Sequence, residues 1–156
     1  MNKANRIGIF IVFAILMLSG NLILQAQTKK QLTIVGKIAP EVMGTGTGTI
    51  EITKNEKERS TIQISIEGRY TLDLDFFNEY SLKFKYPGHI DKTIRVSTKI
   101  PDEIFRKNPN FPEFPLIVTL VNANDEQIKR EMCPPIPSIA YSKEVDNFVK
   151  LVSPEN

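Results

Sequence analysis

Residues 69–86 decide the fold class: Arg69-Tyr70-Thr71-Leu72-Asp73-Leu74-Asp75-Phe76-Phe77-Asn78-Glu79-Tyr80-Ser81-Leu82-Lys83-Phe84-Lys85-Tyr86. Tyr70, Leu72, Leu74 and Phe76 share one parity, with Thr71, Asp73 and Asp75 on the other. Tyr80, Leu82, Phe84 and Tyr86 repeat the pattern against Ser81, Lys83 and Lys85. Successive side chains of a strand point to opposite faces, so a period of two marks a strand with one buried and one wet face. Joining the two runs as an antiparallel hairpin with matched apolar faces restricts the register. One allowed register pairs Tyr70 with Tyr86, Leu72 with Phe84 and Leu74 with Leu82, and sets Asp73 against Lys83. The next sets Asp75 against Lys83 and Asp73 against Lys85. Either puts acid opposite base, worth roughly 0.2–1 kcal/mol per pair. The expectation is a central hairpin whose carboxylates form a solvated, charge-paired face. An Asp73/Asp75 metal site is disfavoured, because the lysines opposite would repel a cation.

The same alternation runs outward from this hairpin. Gln31–Ile38, Thr49–Thr53, Ser60–Ile66 and Asp91–Ser97 each place apolar residues on one parity. Pro115–Val121 (PLIVTLV) is nearly continuous, as expected of a strand covered on both faces. Glu67-Gly68 marks a tight hairpin between the third and fourth strands, and Pro87-Gly88 ends the fifth. A one-sided sheet must bury its apolar face against a second layer. The prediction is therefore an all-β fold, a seven-stranded antiparallel β-sandwich. The Ile100–Phe114 connection holds Pro101, Pro109 and Pro112, with one helical turn over Asp102–Lys107. After Val121 come a polar stretch and Pro134, Pro135 and Pro137. Val145, Phe148, Val149 and Val152 then recur at helical spacing with Ser142 as a cap, predicting a short C-terminal helix docked on the sandwich.

Length and charge bound the function. The chain has 156 residues, suited to one folded domain. Lys3 and Arg6 precede the uncharged apolar run Ile7–Leu18, and Gln25-Ala26-Gln27 offers a small residue at a cleavage point. This is the layout of a signal peptide, with an uncleaved N-terminal anchor as the alternative. The expected division is a signal peptide over residues 1–26, a sandwich over 27–122 and a polar, Pro-rich extension over 123–156. Export across the inner membrane to the periplasm, the outer envelope or the medium follows, with membrane contact through the leader alone. Beyond Ala26 the chain holds 18 Lys+Arg and 18 Asp+Glu. A neutral domain argues against nucleic-acid binding, which needs a concentrated basic face. One His and one Cys exclude multi-ligand zinc sites and a disulfide framework. Cys133, beside Pro134, reads as structural or incidental.

The candidate chemistry is sparse. Gly44-Thr45-Gly46-Thr47-Gly48 lacks the Lys-Ser/Thr of a phosphate-binding loop and leads into a strand, so it reads as a plain loop. His89 follows Pro87-Gly88 with Asp91 close by, which suits a surface turn better than a catalytic base. A glycosidase acid pair is not excluded by counting, but no Trp offers a sugar platform. The Tyr70, Phe76, Tyr80, Phe84 and Tyr86 stripe reads as core. Phe111 and Phe114 are the candidate exposed contacts, or else caps on the open end of the sandwich.

These residues together resemble the carboxypeptidase regulatory-like (transthyretin/prealbumin-like) β-sandwich modules of Gram-negative envelope proteins. The resemblance rests on Leu32-Thr33-Ile34-Val35-Gly36-Lys37, on Glu67-Gly68-Arg69-Tyr70-Thr71-Leu72, and on Tyr80-Ser81-Leu82-Lys83-Phe84 followed by Pro87-Gly88-His89. Lys92–Thr98, the Phe111–Phe114 segment and the tail from Ile139-Ala140-Tyr141 to Phe148 extend it to about Val149. Ala39–Gly48 departs from the family's usual first loop, and His89 stands where a Tyr is usual. The resemblance implies an accessory or scaffolding module with no catalytic residues; from the sparse ligand set, no metal or cofactor is expected either. The expected partner is another envelope component, a protein bound by strand edges or loops. The alternative is a small ligand or glycan held by the Ile100–Phe114 loop.

Overall fold

A computed structural model describes residues 30–38, 46–107, 111–123 and 136–151. Among the described residues are nine strands and one short helix: β1 (Gln31–Ile38), β2 (Thr49–Lys54), β3 (Glu58–Gln63), β4 (Arg69–Asp75), β5 (Glu79–Lys85), β6 (Lys92–Ser97), α1 (Asp102–Lys107), β7 (Phe114–Val118), β8 (Ser138–Ser142) and β9 (Asn147–Leu151). The fold is all-β, as the alternation predicts. The strands form a three-stranded sheet ordered β4-β1-β7 and a six-stranded sheet ordered β3-β2-β5-β6-β8-β9. Both are mixed rather than purely antiparallel, because β1 runs parallel to β7 and β6 parallel to β8. The leader, Gly44, Thr45 and Cys133 lie outside the described residues. Among those described, no helix is long and apolar enough to cross a membrane.

The central hairpin is a correction. β4 pairs with β1, setting Leu72 opposite Ile34 and Asp73 opposite Thr33. β5 pairs instead with β2 and β6 in the other sheet. Alternation specifies which face of a strand is buried, and a sandwich satisfies that from either layer. Tyr70 and Phe84 do meet, with ring centroids 5.3 Å apart, but across the core rather than along a ladder. The charges find other partners. Lys83 bonds Asp91 at 3.0 Å and Lys85 bonds Glu51 at 2.5 Å. Asp73 accepts a hydrogen bond from Thr33 Oγ1 at 2.7 Å, and Asp75 meets Lys54 of the opposite sheet at 3.0 Å.

Two turns carry the chain between layers. Gly68, at φ 76°, closes a turn in which its N–H donates to Ser65 O at 2.8 Å. The positive φ is the one expected there, but the turn moves the chain from one sheet to the other instead of closing an in-sheet hairpin. The second turn, between β4 and β5, places Phe77 at φ 64°, a left-handed conformation uncommon for a bulky residue. Buried Thr98 holds this turn: its carbonyl accepts the Phe77 N–H at 3.0 Å, and its Oγ1 accepts that of Asn78 at 3.0 Å.

The C-terminal helix is a second correction. Residues 138–151 form the β8–β9 hairpin, turning at Asp146, which has φ 49°. The helical spacing competes with a strand pairing that sets Tyr141 opposite Phe148 and Ile139 opposite Lys150, and parallel pairing to β6 decides between them. Ile139 and Phe148 are buried, whereas Val145, central to the helical pattern, is 59% exposed. The one-turn helix over Asp102–Lys107 is present as predicted. A third correction concerns β7: Pro115 and Ile117 face outward and Leu116 and Val118 inward, so this edge strand is covered on one face only.

One core joins the layers. Leu32, Ile34, Leu72, Leu74, Leu116 and Val118 from the small sheet pack with Ile50, Leu82, Phe84, Ile94, Val96 and Ile139 from the large one. Gly36 occupies an apolar position of β1 for a steric reason. A Cβ there would lie 2.3 Å from Leu116 O and 2.3 Å from the Tyr70 ring. The Tyr70 phenol passes over Gly36 and donates to Leu116 O at 2.8 Å, spanning all three strands of the small sheet. Burial raises its pKa above the usual tyrosine value.

Candidate functional site

The residues singled out from the sequence do not converge. Phe111 packs against Phe76, Phe148 and Tyr141 at 5.5, 5.4 and 6.1 Å between centroids, closing one end of the core. Phe114, at the start of β7, is half-buried against the same core. His89 sits in the turn after β5, where its N–H donates to Tyr86 O at 3.0 Å and its ring meets Tyr86 edge-on at 5.3 Å. Its Nδ1 lies 3.0 Å from Pro87 O, which calls for the proton on Nδ1. Its described partners are thus a backbone carbonyl and an aromatic ring, with no carboxylate to orient it as a base. Gly48 fits closely beneath Tyr86 and Ile64, so the described part of the Gly-Thr loop is packed rather than cradling an anion. Among the described residues no three His, Cys, Asp or Glu side chains converge as metal ligands.

Lys92 is half-buried. Desolvation, then the nearby Lys150, lowers its pKa, and its Nζ donates to Thr119 O at 3.1 Å. That bond ties β6 to the segment after β7 and uses the amine structurally.

The feature that remains is a border between two open strand edges. Among the described residues β4 pairs with β1 alone, and β3 pairs with β2 alone. The two strands are joined by the Ser65–Gly68 turn, so their free edges lie on one side of the sandwich. Between them is a shallow groove of about 1000 Å³, lined by Ile62, Ile64, Ile66, Tyr70 and Thr71 among others. Ile66 is 85% exposed at its rim. Ser60 is exposed and Ile62 only half-buried on the side of β3 that continues the core-facing parity, so β3 projects beyond the cover of the three-stranded sheet. An unpaired edge is a ready template for another strand.

Pairing β4 with β5 hides this edge in a sequence reading. Gly36 is the signal that could have found it. A glycine on the buried parity of β1 leaves a gap that a large side chain on the neighbouring strand must fill, and Tyr70 on β4 is that side chain.

No family model matches the chain, and no curated protein matches it. Among solved structures the chain is similar to one described as "Crystal Structure of S.CueP", at 12% identity and a TM-score of 0.38, over 60% of this chain and 64% of that one.

Proposed function

We propose that the chain is an exported, non-enzymatic accessory module that binds another component of the cell envelope, a protein, through an open strand edge. In this reading β1–β7 form a seven-stranded sandwich of the transthyretin/prealbumin-like type, and the β8–β9 hairpin is added at the edge of the larger sheet. The observation that carries the reading is the pair of edges at β3 and β4, unpaired among the described residues, flanking a groove where Ile62, Ile64, Ile66 and Tyr70 alternate with polar side chains. Main-chain pairing at such an edge supplies affinity, and the adjoining pockets supply selectivity. Lys3 and Arg6 before the apolar run Ile7–Leu18 support the compartment, and the neutral remainder argues against nucleic acid. Engagement of Phe111 with three other rings supports a protein partner over a glycan held by the Ile100–Phe114 loop. Affinity purification from envelope extracts, followed by identification of bound proteins, tests it. A specific envelope protein is the expected result. A chain found only as a free monomer outside the envelope would overturn the reading.

A further inference from the structure

The open edge of β4 has a definite hydrogen-bonding pattern. At the end of the β1–β4 ladder the Ile38 N–H donates to Gly68 O at 2.9 Å. In an antiparallel ladder bonded and non-bonded pairs alternate, so Tyr70, Leu72 and Leu74 turn their backbone groups toward β1. Arg69, Thr71, Asp73 and Asp75 turn theirs away. The bonds at both ends agree: Arg69 O accepts the Ser65 N–H at 3.1 Å, and Asp75 O accepts Thr98 Oγ1–H at 2.7 Å. Between these occupied ends, the N–H and C=O groups of Thr71 and Asp73 face the open side.

We propose that this edge docks an extended segment of a partner protein in which apolar and basic residues alternate. The inference rests on the reading above and names the surface and the chemistry it takes. A strand laid along β4 would bond Thr71 and Asp73 through its backbone. Its inward side chains would lie in the groove against Ile62, Ile64 and Tyr70. Its outward side chains would lie beside Asp73, an exposed carboxylate whose hydrogen bond comes from neutral Thr33 and not from a cation, while Arg69, the cation on the same face of β4, is ion-paired with Glu67 at 3.3 Å. Apolar inside and basic outside is therefore the complementary pattern, since opposite charges across neighbouring strands attract. A second copy of this chain fits less well. Symmetric β4–β4 pairing puts both large sheets on the same side, where the two projecting β3 strands compete for one space.

The test uses the full-length protein and a synthetic peptide copying residues 79–86 (EYSLKFKY), which carries the required alternation. The peptide is expected to slow amide exchange at Thr71 and Asp73 at least about tenfold at saturation, as new ladder bonds do. A peptide with both lysines replaced by Glu, or the Asp73→Lys protein, is expected to bind at least about fivefold more weakly. Thr71→Pro removes an edge donor that β1 does not use and is expected to abolish protection. Unchanged exchange, or equal binding of the acidic peptide, would overturn the proposal, as would a concentration-dependent dimer that Thr71→Pro abolishes. An envelope partner still captured by Thr71→Pro protein would overturn the edge but leave the broader reading intact. Peptide binding with no envelope partner would do the reverse.

Discussion

β4 and β5 are two seven-residue strands that follow one another in the chain with the same alternation, and they end in opposite situations. β5 lies inside the six-stranded sheet, paired on both sides, with Leu82 and Phe84 fully buried. β4 is the edge of the three-stranded sheet, paired on one side among the described residues, with Arg69, Thr71 and Asp73 exposed. The comparison teaches that alternation determines a strand's inward face but not its neighbours. What separates the two strands is the link between them: Phe77, in a left-handed conformation pinned by Thr98, turns the chain out of one layer and into the other.

The largest expected effect separates a central strand from an edge strand. Leu82→Ala should cost about 2–5 kcal/mol, the range for a leucine truncated where the surroundings cannot relax. Leu72→Ala, buried on an edge strand whose surroundings can relax further, should fall at the lower end of that range. Urea unfolding midpoints measure both, and an equal loss at the two sites would erase the distinction. Next, Tyr70→Phe should cost about 0.5–1.5 kcal/mol, the net worth of one hydrogen bond, because it removes the phenol that bridges to the buried Leu116 carbonyl. The loss depends on pH with a definite sign. Burial raises the folded phenol's pKa above its ordinary 10.0, so above that pH the unfolded chain loses a proton that the folded chain keeps. The advantage of tyrosine over phenylalanine should be full below pH 10 and shrink as pH rises further, while Lys54 and Lys83 titrate alike in both proteins. The smallest effect concerns charge. A double-mutant cycle on Lys83 and Asp91 should show coupling that added salt weakens, and a cycle on Asp73 and Lys83 should show none. Coupling between Asp73 and Lys83 would restore the hairpin that the two sheets replace.

Much of the fold is legible in the sequence because burial of one face writes itself as a period of two. Leu32, Ile34, Ile50, Leu72, Leu74, Leu82, Phe84, Ile94 and Val96 all fall on their predicted inward parity. Gly68 is legible because only a positive φ closes its turn. The partners of the strands are less so. Pairing across distant chain segments leaves its trace in volume, such as the gap at Gly36 filled by Tyr70, and not in any local run of residues. The final hairpin misleads because its turn residue Val145 completes a helical pattern by coincidence of spacing, while pairing along β6 rewards strands. The candidate site is the least legible part. An edge is defined by which strand is missing beside it, and no residue encodes that directly.

The attachment of β8 to β6 has a consequence for how the molecule assembles. β8 and β9 pair with each other through five residue pairs, whereas β8 joins β6 in parallel through Arg95–Ser138 and Val96–Ile139 alone. The hairpin is a local structure that closes within microseconds, but its docking must wait for a distant strand and bear the loop-closure entropy of everything between. Although Ile139 and Phe148 join the core, it is expected to be the last piece added and the first released, so that its amides exchange faster than those of β2 and β5. Each such opening would lift Phe148 off Phe76, on which its ring stacks at 6.3 Å, and leave Phe105 and Phe111 to cover that end of the core.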